Sequence, residues 1–158
     1  MNNSFVEFLN SVKADPDMIQ QALRVYLSER TNDLTRNEMV SELRASAGNP
    51  EQVDQFLRSL ERDPDALEEA ALLYFQQAWE DDTEVPRIRA AFESAKARLP
   101  VVEAAILAVV AMYAMHLIAT KGVTERIKKN PDGSYERTKL EPFVPIVSAV
   151  AKLFAKNS

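Results

Sequence analysis

Apolar residues recur along the first hundred positions at steps of three and four, the spacing that gathers side chains on one face of a helix. Phe5, Phe8, Leu9 and Val12 form one such stripe. Met18, Ile19, Ala22, Leu23, Tyr26 and Leu27 form a second, Val53, Phe56, Leu57 and Leu60 a third, and Val85, Ile88, Phe92 and Ala95 a fourth. Helix-start chemistry separates the stripes. Asp15-Pro16-Asp17 and Asp63-Pro64-Asp65 each offer a capping carboxylate, a proline for the first helical position and an acid for the positive end of the helix dipole. Thr35 and Glu38 have the spacing of a capping box, Gly48 suits a helix C-terminus, and Asn49-Pro50 is a further cap-proline start. Thr83 is a weaker start signal, and Leu99-Pro100 ends the last of these segments. The pattern predicts six amphipathic helices before residue 100, in two sets of three.

The polarity then changes. Val101 to Ala119 contains only two strongly polar side chains, Glu103 and His116. Nineteen helical residues would reach nearly the roughly 30 Å of a bilayer core. Six of the nineteen are alanine, which adds little to lipid partitioning but lets helices approach closely. With six amphipathic neighbours upstream, each needing a surface to cover, the segment reads as the centre of a bundle. Beyond it, Asn130-Pro131-Asp132-Gly133 is a strong turn signal, and a three-residue loop there puts Lys128 opposite Glu136 and Glu125 opposite Lys139.

The two sets of helices also resemble each other. Phe8–Tyr26 aligns with Phe56–Tyr74 at a constant offset of 48, with eight identities in nineteen positions, among them the Asp-Pro-Asp triplet and the tyrosine. That is the mark of a duplication. The expected fold is therefore all-α: a bundle of about seven helices with an internal three-helix duplication, a small C-terminal β-hairpin and a short final helix. Residues 1–158 make a single domain, with duplicated units over 1–50 and 51–98. A central apolar helix spans 99–121, a hairpin 122–141 and a closing helix 144–156.

Composition narrows the functional classes. The chain has no cysteine, which removes disulfides, thiolate catalysis and cysteine-bound zinc, and fits a cytoplasmic location. Residues 1–120 carry 11 Lys/Arg against 20 Asp/Glu, a balance of −9, while residues 121–158 carry 8 against 4, a balance of +4. An acidic body repels a phosphate backbone, so nucleic acid is not an expected partner. His116 is the only histidine, without the nucleophile and orienting acid that catalysis needs; it reads as a core residue, or as a pH sensor. The aspartates of the triplets read as caps rather than metal ligands. No phosphate loop, serine elbow or metal motif is present.

These features point to a non-enzymatic protein–protein interaction module, an adaptor or regulatory domain, with no cofactor. Its expected contact residues are Trp79, Glu80, Asp81 and Asp82 in the acidic loop and Arg126, Lys128, Lys129 and Tyr135 on the hairpin. Tryptophan beside charge is typical of interface hot spots. The alternative is a membrane-active effector whose apolar helix, 101–119, inserts into or spans a bilayer, with the basic residues after it at the lipid surface.

Overall fold

The computed structural model describes residues 4–31, 35–47, 49–97, 104–118, 125–139 and 150. Among them are seven helices: α1 (Phe5–Ser11), α2 (Pro16–Arg30), α3 (Arg36–Ala47), α4 (Pro50–Glu61), α5 (Pro64–Trp79), α6 (Val85–Ala97) and α7 (Ala104–Ile118). Two strands follow, β1 (Glu125–Lys129) and β2 (Tyr135–Lys139). The Gly48 C-terminus, the Leu99-Pro100 break, Glu103 and the closing helix lie outside the described residues, except that Val150 is helical and buried.

The first five helices begin where side chains replace missing backbone partners. Asp15 Oδ1 accepts from the Met18 N–H at 2.8 Å and Asp63 Oδ1 from the Ala66 N–H at 3.1 Å. Asn49 does the same for Gln52, and Ser4 for Glu7. Thr35 and Glu38 exchange two bonds, Glu38 N–H to Thr35 Oγ1 at 3.2 Å and Thr35 N–H to Glu38 Oε1 at 3.1 Å. Each cap is worth about 1 kcal/mol. The Asp-Pro-Asp carboxylates at 15 and 63 are thus occupied in holding helix ends. α1 stops in a Schellman motif: Ala14 N–H reaches Leu9 O, Lys13 N–H reaches Asn10 O, and Lys13 takes the left-handed φ of 53° that this turn requires.

Two helices form the centre. α7 packs against α2, α3, α4 and α5, and Ala108 through Met115 are all buried. At about 1.5 Å per residue its 15 residues span roughly 22 Å. Among the described residues, no helix is long and apolar enough to cross a membrane. α5 is equally enclosed: every residue from Ala66 to Gln76 is buried, although Glu68, Glu69 and Gln76 are among them. α6 lies along α2 and touches α5, and α1 packs on the C-terminal half of α5, where Phe5 meets Phe75 and Trp79.

β1 pairs antiparallel with β2, with Lys128 opposite Glu136 and Glu125 opposite Lys139. The turn between them is closed by Asn130 N–H to Ser134 O at 2.8 Å, and Gly133 supplies a positive φ. The ribbon is tied to the helices. The Asn10 amide donates to Tyr135 O at 3.1 Å and accepts from the Tyr135 N–H at 2.9 Å, taking the place of a neighbouring strand at that position. The Tyr135 hydroxyl reaches Ala14 O at 3.4 Å, and β1 packs on α5.

Candidate interaction surface and the polar network beneath it

The connection from α5 to α6 is a compact turn made by its own residues. Asp81 N–H donates to Ala78 O at 3.1 Å, and Glu84 N–H returns to Asp81 O at 2.8 Å. Asp81 Oδ1 accepts from both the Thr83 N–H at 3.0 Å and the Thr83 hydroxyl at 2.6 Å. Thr83 therefore serves the turn, and α6 starts two residues later at Val85. Glu80, Asp81, Asp82 and Thr83 are exposed.

Glu84 points the other way. It is 7% exposed, accepts from the Tyr26 hydroxyl, and pairs with Arg30 at 3.3 Å and Arg87 at 3.8 Å. Burial, reinforced by the bond to Glu84, holds the Tyr26 phenol well above its usual pKa. The Tyr74 ring meets Tyr26 edge-on at 5.8 Å, and burial raises its pKa too, against the opposing pull of Arg30. The acidic turn is therefore anchored by a buried carboxylate with three partners.

Trp79 supports the turn from within. Its ring lies 5.3 Å from both Phe5 and Phe8, only 7% of the residue is exposed, and the Arg89 guanidinium covers its face at 5.5 Å. Together with Phe75 and Phe92 these rings form one aromatic cluster. Trp79, expected as a contact residue, is buried instead: α1 covers the indole, because Phe5 and Phe8 need the same apolar contact. Tyr135 is likewise buried, its backbone joined to Asn10. Arg126, Lys128 and Lys129 sit on β1, and their side chains lie outside the described residues.

A second polar constellation joins α3 to α7. Tyr113 donates to Glu42 Oε2 at 2.8 Å, and the His116 ring stands 5.9 Å from Tyr113. Burial raises Tyr113 to about 12 and lowers His116, with Glu42 opposing the histidine shift. No group of three or more metal-ligating side chains occurs among the described residues.

No protein-family model, no curated protein and no solved structure matches this chain.

Sequence reasoning missed Glu84, Arg30, Asn10 and Glu42. Tyr26 and Arg30, four residues apart, share a helix face, and Glu84 falls four positions before Ile88 on the α6 stripe. That spacing was a usable signal. Asn10 and Glu42 carried none, since each meets a partner more than seventy positions away.

Proposed function

We propose that this protein is a non-enzymatic interaction module of the cytoplasm whose principal contact is the acidic corner Glu80-Asp81-Asp82. The observation that carries the reading is the mounting of that corner: exposed acids on a turn closed by its own hydrogen bonds and anchored through Glu84 to Tyr26 and Arg30. A charged element held in one conformation has less entropy to lose on docking, and its sign selects a basic partner surface. The basic strand β1, with Arg126, Lys128 and Lys129, is the second contact element. Membrane insertion of α7 is the weaker alternative, because extracting it would unpack four helices at once.

We also read α1–α3 and α4–α6 as duplicated units. α2 and α5 start at capped prolines 48 positions apart, and their equivalent tyrosines, Tyr26 and Tyr74, touch. The packing of the two units is not equivalent: α6 lies on α2, whereas α3 packs on α4 and α7. In this reading α7 fills the face of α5 that a symmetric pair would give to α3.

The test is affinity capture from cell extract by the wild type and a Glu80→Lys/Asp82→Lys variant, at low and high salt. A partner that binds the wild type, weakens with salt and is lost from the folded variant supports the reading. Equal capture by both proteins, or no specific capture by either, overturns it.

A further inference from the structure

Between α2, α3 and α7 lies a cavity of about 160 Å³ with a divided lining. Met39, Val109 and Val110 are buried and, with half-buried Ile106, make an apolar floor. Around it stand Arg24, Ser28 and Arg36, all at least partly exposed. The described ion pairs engage Arg30, Arg44 and Arg87 and include neither of these two arginines; Arg24 Nε donates to Gln21 Oε1 at 3.5 Å, a neutral bond that leaves its charge uncompensated. Arg36 is the first residue of α3, so the positive end of that helix dipole adds to the local field. The acid of the same turn, Glu38, is bound back onto Thr35. In a body that carries 20 acids against 11 bases over residues 1–120, two arginines beside one apolar cavity mark a local reversal of sign.

We propose that this cavity binds a small apolar carboxylate, its apolar body against Met39, Val109 and Val110 and its carboxylate held by Arg24 and Arg36. Guanidinium groups match carboxylates in shape and charge, and a dry floor with a few polar groups at its edge is the usual build of a ligand pocket. The volume is below that of pockets for drug-sized ligands, roughly 300 Å³ and upward. The ligand is therefore a short acyl chain, a single aromatic ring, or the last residue of a peptide chain. The proposal is independent of the acidic corner at Glu80–Asp82.

The experiment is a titration of the full chain followed by amide chemical shifts. Four probes are compared: hexanoate, hexanol, a short peptide ending in leucine with a free carboxylate, and the same peptide amidated. Saturable shifts in α2, α3 and α7 are expected with the carboxylates, with binding roughly tenfold weaker for hexanol and for the amide, as loss of a charged hydrogen bond implies. Arg24→Gln/Arg36→Gln should weaken hexanoate about tenfold and leave hexanol unchanged, while the spectrum elsewhere stays that of the wild type. Peptide binding tighter than hexanoate assigns the site to chain termini, and the reverse order assigns it to free acids. Absence of binding by either carboxylate, equal binding of hexanoate and hexanol, or wild-type hexanoate affinity in the double variant overturns the proposal.

Discussion

Tyr26 and Tyr113 make the same bond in different surroundings. Tyr26 donates to Glu84 inside the bundle, and Tyr113 donates to Glu42 at its margin. Glu84 is buried and shared with Arg30 and Arg87, whereas Glu42 is exposed. Burial raises both phenols, Tyr26 the further. The difference lies in the alternatives open to the carboxylate. Glu42 can turn to water if its tyrosine is lost, and Glu84 cannot do so without opening the core. A polar contact contributes to stability in proportion to what its partner loses without it.

Breaking the dry wall of the inner site should have the largest effect. Tyr26 packs on Phe75, Phe75 on Phe5, and Phe5 on Trp79. Trp79→Ala should destabilise the fold by about 3–5 kcal/mol, through lost burial and the cavity left behind. Thermal unfolding should show a fall in Tm of roughly 10 °C for a domain of this size. A loss below about 1 kcal/mol would return Trp79 to the surface.

Tyr26→Phe comes next. It removes a neutral donor to Glu84 and leaves the carboxylate buried, so chemical denaturation should give a loss of about 1.5–3 kcal/mol. Adding Arg30→Ala should cost more in that background than in the wild type if both groups act through Glu84, because the buried carboxylate then loses a second donor, which a double-mutant cycle reads directly. Strict additivity would mean that the two contacts do not form one network.

How much of this was legible depends on the range of the interaction. The caps at Asp15, Asp63, Asn49 and Thr35 could be read because each acts within three residues. The apolar character of α7 gave its burial directly. α5 was harder: Glu68, Glu69, Gln76 and Gln77 break its apolar pattern, yet eleven consecutive residues of it are buried. Hydropathy describes what a residue prefers, whereas burial here follows from α5 lying between α1, α2, α4, α6, α7 and β1. Trp79 was misread for the same reason. Its acidic neighbours in sequence suggested surface, while its neighbours in space, Phe5 and Phe8, come from a helix seventy residues earlier.

The outer pair supplies the contrast. Tyr113→Phe should cost less than about 1 kcal/mol, because exposed Glu42 regains water when the hydroxyl goes. Denaturation of the two phenylalanine variants side by side tests the comparison itself. Equal losses at Tyr26 and Tyr113 would show that burial of the acceptor does not set the worth of the bond.

His116 offers the smallest effect and the finest test of the margin. Burial lowers its pKa below the ordinary value near 6.5, and Glu42 acts in the opposite sense without overcoming it. The unfolded chain therefore takes up a proton first as the solution is acidified. The stability contributed by neutral His116 is complete above the unfolded pKa and is lost as pH falls through the folded one. Tm should decline between about pH 7 and pH 5, before most carboxylates titrate, and His116→Gln should flatten that part of the profile. A Tm that rises on acidification over the same window would mean that attraction to Glu42 outweighs burial. The margin would then be organised by a His116–Glu42 ion pair, and the Tyr113 bond to Glu42 would be secondary.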